Sequence, residues 1–309
     1  MKTKVLILYT LPPDGLQAGR ERAEFDLSVP VRSVAQVLPD ATVAGIRGEP
    51  RELLELLSRH DPGVVFNACE APLGRPELEA HCAALFEWLG IPFTGSGSET
   101  LTLCRRKDFA NAVLAAAGVP LPRIDRFPCI VKPAAEDGSA GIHAHSVCAD
   151  QDALARARQL VGGPVLVQEF LTGREFAVSL WGPVRPDWFS IGEIKYRNGL
   201  QLITYAAKWD EQSADFANSP IVYDSDIEPG LQEAIVTSAR GAWRALGLRG
   251  YARVDVRLDG RGIPCVLDVN PNPDLSPGAG IHRGVIEAGW TWERFVGAQI
   301  EWASTSASS

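Results

Sequence analysis

The chain has 309 residues, 46% of them hydrophobic and 22% charged, with 29 glycines and 22 prolines. That composition holds enough apolar material for two or three domains and excludes disorder, collagen and coiled coil. Lys and Arg number 30 against 38 Asp and Glu, a net charge of −8. Phosphate backbones and anionic membranes are therefore poor partners, and the expectation is a small-molecule ligand, with no nucleic acid and no membrane.

The first apolar run, residues 5–9, is too short for a signal-peptide core and is followed by Pro12-Pro13-Asp14-Gly15 instead of a small-residue cleavage site. It reads as a strand. No stretch approaches the roughly 20 apolar residues that span a bilayer, so a cytoplasmic location is expected. Residues 42–46 and 64–67 read as further buried parallel strands, separated by segments 31–38 and 52–59 whose apolar residues recur at three and four positions. The same period runs through 76–89 to Gly90, a helix C-cap, and 91–94 resumes as a strand. A second block starts near Ser96, with a helix over 107–117, strands at 129–132 and 165–169, and an Ala/Arg-rich helix at 152–160 between them. The third block places strands at 176–181, 189–194 and 202–208, a helix at 229–246, and strands at 253–258 and 265–269, before a Ser-rich tail from Ala303 that is expected to fray. Strands alternating with helices predict the α/β class. The six cysteines, at 69, 82, 104, 129, 148 and 265, form no C-x-x-C and read as free, buried thiols.

Two segments carry chemistry. Lys132 ends a strand and is followed by Glu136-Asp137-Gly138-Ser139-Ala140-Gly141. Small residues let backbone N–H groups approach phosphate oxygens while the lysine adds a point charge, although by itself this is also an ordinary glycine turn. It is not a P-loop, and no G-x-G-x-x-G follows the first strand. The segment 250–270 reads as two antiparallel strands joined by a turn containing Asp259-Gly260. Side chains repeat every two residues, so Arg253 and Asp255 share a face, as do Asp268 and Asn270, and pairing can bring all four together. Two carboxylates and an amide oxygen are hard ligands suited to Mg²⁺. The alternative has Asp255 and Asp268 in salt bridges with Arg253 and Arg257 on a solvated sheet. Against it, Val254, Val256, Leu267 and Val269 fill every intervening position.

In chain order, GIPFTGSG at 90–97, Lys107 followed by AAAGVPLP, IVKPAAEDGSAGI at 130–142, VLVQEFLTGREF at 165–176, AAKW at 206–209, GYARVDVRLDGRG at 250–262 and VLDVNPNPDLSP at 266–277 resemble the ATP-grasp superfamily. The likeness is greatest to its D-alanine–D-alanine ligase branch. It implies an ATP-grasp fold, α/β (α+β) in class: a Rossmann-like N-terminal substrate domain over 1–95, a central lobe over 96–182, a C-terminal lobe carrying the magnesium and substrate sites over 183–302, and a disordered tail over 303–309. It implies that Lys107 and Lys132 contact ATP phosphates, that Ser139 and Gly141 belong to a phosphate-covering loop, and that Lys208 reaches the γ-phosphate. Glu175 matches the ribose-binding carboxylate, and Glu169 and Leu171 supply backbone contacts to adenine. Gln168 stands where a Glu is usual. Asp255, Asp268 and Asn270 match the Mg²⁺ (or Mn²⁺) ligands, with Asp268 again replacing a Glu, and Arg253 matches the arginine that steadies negative charge at the reacting centre. Arg253, Lys208 and Ser139 are thus the expected catalytic groups.

The substrate end departs from the branch. His-Gly and Gly-Glu-Asp-Gly features are absent after 65–70, and the serine that holds the second substrate's carboxylate falls on Ala279. Glu70, at the C-terminal end of a strand where open sheets place ligands, is expected to orient a substrate amine or else to cap a helix. Arg283 and His282 are candidates to replace the missing serine as a carboxylate clamp. Lys107 also reads as a solvated helix charge beside Arg105 and Arg106, Arg253 as one half of a surface ion pair with Asp255, and His143 and His145 as polar surface without a third metal ligand. The implied activity is an ATP-dependent carboxylate–amine ligase working through an acyl phosphate on amino acids or a related acid and amine. The alternatives are a D-alanine–D-alanine ligase with divergent substrate loops and a non-catalytic ATP-binding module. Members of the branch are commonly homodimers.

Overall fold

The computed structural model describes residues 3–13, 27–135, 142–161, 163–199, 201–202 and 213–306. The N-terminal part runs β1 (Val5–Thr10), α1 (Ser28–Val37), β2 (Thr42–Ile46), α2 (Pro50–His60), β3 (Val64–Ala68) and α3 (Glu79–Leu89). Its three strands form a parallel sheet in the order β2-β1-β3; β1 and β3 are buried as expected, whereas β2, at the edge of the sheet, buries only Ile46 and leaves Val43 exposed. One face packs Leu6, Leu8 and Val65 against Leu53, Leu57, Ala83 and Phe86 of α2 and α3. Gly90 ends α3 at φ 66°, and its N–H closes onto the Phe86 and Glu87 carbonyls, a left-handed cap that costs glycine little. Residues 91–94 form no strand. Only a parallel bridge between Phe93 and Val65 forms there, because the segment turns at once into the next helix.

That helix, α4 (Ser98–Arg105), follows α3 and precedes α5 (Lys107–Ala116); the sequence pattern did not separate it. A small antiparallel sheet, order β5-β4-β6, comprises β4 (Cys129–Pro133), β5 (Val147–Cys148) and β6 (Val165–Glu169), with α6 (Gln151–Val161) covering one side. The largest sheet is antiparallel in the order β11-β10-β7-β8-β9, from β7 (Glu175–Gly182), β8 (Trp188–Ile194), β9 (Ile221–Val222), β10 (Gly250–Leu258) and β11 (Pro264–Asn270). Strand β7 pairs with β8 and β10 and so belongs to the large sheet. Of the strand expected at 202–208, residues 203–208 lie outside the described residues.

The short helix α7 (Ala214–Ala217) precedes β9, and α8 (Pro229–Ala245) packs Ile235, Ala239 and Trp243 onto one face of the large sheet. Beyond β11 come α9 (Gly280–Glu287) and α10 (Trp292–Ser306). Residues 303–306, expected to fray, thus complete the last turn of α10, whose inner face closes over the free side of the parallel sheet. Ile7, Phe66, Trp181, Tyr251, Trp292 and Phe295 form that second core. It joins the N-terminal sheet to the large sheet. All six cysteines are free and buried. No helix among the described residues is long and apolar enough to cross a membrane.

Candidate active site

The C-terminal ends of β1 and β3, the inner faces of β4, β6, β7 and β10, and the chain after β11 enclose a cavity of about 750 Å³. Lys107, Lys132, Gln168, Glu169, Leu171, Glu175, Arg253, Asp255, Asp268, Asn270, Glu70, Ala279 and Arg283 all line it. Ser139, Gly141 and Lys208 lie outside the described residues. His282 is not brought to the cavity: its ring packs on Trp292 with centroids 4.7 Å apart. His143 and His145 stack on each other at 5.0 Å, and no group of three or more His, Cys, Asp and Glu suited to a metal occurs among the described residues.

The hairpin of β10 and β11 builds the charged floor. Asp259 ties its turn, accepting the N–H groups of Arg261 and Ile263 at 2.8 Å each. The register sets Asp255 directly opposite Asp268 and Arg253 opposite Asn270, so the four groups share one face as the period of two requires. Val256 then pairs with Val266, which leaves Leu267 unpaired. This bulge turns Leu267 to the cavity, whereas strict alternation would have kept it on the opposite face. Arg253 donates Nε and NH2 to the two oxygens of Asp255, both at 2.8 Å. This is the ion pair considered from sequence, but it is recessed in the cavity, at 21% and 17% side-chain exposure, and not a surface pair. Asp255 is the main reason the guanidinium's pKa is raised.

Lys107 is not a solvated helix charge. It is buried, and Nζ donates to both oxygens of Asp268 at 2.8 and 2.9 Å. Arg257 pairs with Glu175 instead of with either aspartate. No carboxylate pairs with Lys132 among the described residues. Burial lowers its pKa, offset in part by Asp268. A recessed cation held by acids only at a distance is a site for an anion.

Gln168 supplies a second open valence. Asn111 donates Nδ2 to the Lys107 carbonyl at 2.7 Å, so its Oδ1 is left to accept Gln168 Nε2 at 3.3 Å. That fixes the Gln168 amide with Oε1 as the free end, and Oε1 is buried with no hydrogen-bond partner among the described residues. An unmet acceptor in a cavity wall costs roughly 1–3 kcal/mol, which a ligand donor would recover. Asn111 was not singled out from sequence. Its signal was its place one helical turn beyond Lys107.

At the far end, burial pushes the Glu70 carboxyl up to about 8, with help from Glu79 and Asp274. Its backbone N–H donates to Thr10 Oγ1 at 3.3 Å, and the 3₁₀ turn that follows at Pro72–Gly74 has Ala71 at its N-cap position and no side-chain cap hydrogen bond. Asn272 spans the cleft, donating to Glu79 at 2.7 Å and accepting from the Tyr251 hydroxyl at 3.3 Å. Arg283 lies over the Tyr223 ring at 4.9 Å and donates NH2 to the Ile221 carbonyl at 3.1 Å. The cavity is therefore acidic toward β3, and cationic toward β4, α5 and α9.

The family described as "D-ala D-ala ligase C-terminus" matches residues 116–301. The D-alanine–D-alanine ligase B of Brucella melitensis is 30% identical over 277 residues, covering 82% of this chain and 83% of that protein. An uncharacterized protein, y4sG, of Sinorhizobium fredii is 29% identical over 253 residues, covering 77% of this chain and 74% of that one. The crystal structure of a D-alanine–D-alanine ligase from Bacillus anthracis complexed with ATP superposes with a TM-score of 0.73 at 18% identity, covering 99% of both chains. The chain belongs to the D-alanine–D-alanine ligase family and has the ATP-grasp fold, the fold of ATP-dependent carbon–nitrogen ligases.

Proposed function

We propose that this chain uses ATP to phosphorylate a substrate carboxylate and then joins the resulting acyl phosphate to an amine, with a substrate pair other than two alanines. The observation that carries the nucleotide half is the pairing of two unmet valences on one wall of one cavity: the Lys132 ammonium and the buried Gln168 Oε1. The first suits a polyphosphate and the second the exocyclic amino group of adenine. Lys107 would reach the phosphates from the opposite side, while Glu169 and Leu171 would contact the base through their backbones. Glu175 would take the ribose hydroxyls.

Asp255, Asp268 and Asn270 fit a divalent cation. Mg²⁺ is usually held by one or two carboxylates together with substrate phosphates, and this hairpin offers two opposed carboxylates with an amide oxygen beside them. When bound, the ion supplies neutralisation of the charge on the transferring phosphoryl group. The chain's own residues do the rest. Arg253, anchored by Asp255, faces the charge that builds on the reacting carboxyl group. The cleft holds the acid and amine at attack distance, a contribution worth roughly 7–11 kcal/mol, and excludes water from the acyl phosphate. Ser139, Gly141 and Lys208 keep the roles that the resemblance implies for them.

The substrate half rests on Glu70 and Arg283. Glu70 would receive the ammonium of the amino-acid substrate. Arg283, one turn beyond Ala279, would hold a carboxylate where that alanine has no hydroxyl to offer. Phosphate release from ATP with Mg²⁺ across a panel of amino acids, singly and in pairs, tests this reading. Turnover with a pair other than two alanines is expected. Turnover with D-alanine alone would make the chain a D-alanine–D-alanine ligase, and nucleotide binding without turnover on any pair would favour a binding module.

A further inference from the structure

Arg257 is a buried cation in the cavity wall that neither the phosphate sites nor the metal set uses. It lies on β10 on the same face as Arg253 and Asp255, directly opposite Glu175 of β7. Its NH1 is 3.0 Å from Glu175 Oε2, with the two side chains only 5% and 9% exposed. Two backbone carbonyls also hold the guanidinium: Nε donates to Gly173 at 3.1 Å and NH1 to Gln201 at 2.8 Å. The rings of Phe170 and Tyr196 lie 5.5 and 5.1 Å away. Tyr196 adds a second contact, donating its hydroxyl to the same Glu175 Oε2 at 2.8 Å.

A buried ion pair contributes little net stability, and a pair of apolar side chains of equal volume commonly serves the fold as well. Its use here concerns the carboxylate. Burial raises the Glu175 pKa, and Arg257 and then Tyr196 are the main groups opposing that rise. Both hold one oxygen, Oε2. Oε1 accepts no hydrogen bond from any described residue, and Glu175 lines the cavity.

We propose that Arg257 and Tyr196 are positioning residues that clamp Glu175 by one oxygen and present the other to the hydroxyl pair of a nucleotide ribose. The chain thereby selects ribonucleotides over 2′-deoxyribonucleotides through groups that do not themselves touch the nucleotide. This rests on the reading above that the cavity takes a nucleotide with its ribose at Glu175. A carboxylate free to rotate, or protonated, would accept one hydroxyl bond at most and lose the two-point geometry.

The test is calorimetric binding of ADP and of 2′-deoxy-ADP, each with Mg²⁺, to the full chain. The wild type should bind ADP about tenfold more tightly, the equivalent of one good hydrogen bond to a charged group. Arg257→Met should weaken ADP about tenfold and leave 2′-deoxy-ADP within about twofold, so the preference disappears, and Arg257→Lys should restore part of it. Tyr196→Phe removes only the hydroxyl and should cut the preference about threefold, which keeps the inference testable where Arg257→Met does not fold. A preference preserved in the folded variants, or an equal loss for both nucleotides, would overturn the clamp while leaving the nucleotide reading intact. Wild-type protein that binds both equally would also overturn it, and protein that binds neither would overturn the nucleotide reading itself.

Discussion

Glu70→Gln separates the two demands on the acidic end of the cleft. The Glu70 carboxyl is held at about 8 against an ordinary 4.5, chiefly by burial and then by Glu79 and Asp274. A carboxyl whose folded pKa lies above its unfolded value binds more protons in the folded state. Below about pH 4.5 both states are protonated and the site costs nothing. Between 4.5 and 8 the unfolded chain gives up its proton first, so stability falls as pH rises, at about 1.4 kcal/mol per pH unit. Above about 8 the full cost is present. Taken at face value the interval gives about 5 kcal/mol, but Glu70 is only half-buried and solvent screens part of the interaction, so about 2–3 kcal/mol is expected. Glutamine keeps the shape and removes the titration. Urea denaturation of the two proteins should give equal stabilities near pH 4.5 and a variant about 2–3 kcal/mol more stable near pH 9. Equal stabilities at both pH values, or a variant that is the less stable at pH 9, would refute the argument. The same residue predicts proton release: an ammonium substrate bound at pH 7 stabilises the ionised carboxylate, and calorimetry in buffers of different ionisation enthalpy should count a fraction of a proton released per substrate in the wild type and none in Glu70→Gln.

Other outcomes follow from the hairpin and the packing around it. Asp268→Ala removes one of the two opposed carboxylates and the partner of Lys107, and should lower turnover by about a thousandfold while the circular-dichroism spectrum stays unchanged; retained turnover would remove Asp268 from the metal set. Gly284 of α9 lies against β7 and β8, where an added Cβ would meet Ser190 Oγ and stand 2.8 Å from Ser179 Oγ. Gly284→Ala should therefore cost about 1–3 kcal/mol in denaturation, and because α9 carries Arg283, it should also raise KM for the carboxylate substrate.

Much of this molecule was legible in the chain. The period-two pattern put Arg253 with Asp255, and Asp268 with Asn270, on one face of their respective strands before any register was known, because alternation in a strand is a local property. The parallel strands β1 and β3 were legible from their continuous apolar runs, which mark burial on both faces, but the run at β2 did not reveal that an edge position leaves most of that strand exposed. Local pattern could not say which charges meet. Lys107 and Asp268 are 161 residues apart, and only the docking of α5 against the hairpin makes them partners. Arg257 and Glu175 are opposed by the pairing of β10 with β7, a register that nothing in either segment encodes alone. The bulge at Leu267, the orientation of the Gln168 amide by Asn111, and the separation of Arg283 from its neighbour His282 likewise belong to tertiary structure. The amino-acid sequence by itself determined which chemical groups are available and on which face of each strand they stand. Their pairing, burial and charge state were decided only when distant segments packed, since desolvation and Coulomb interactions act through space and not along the chain.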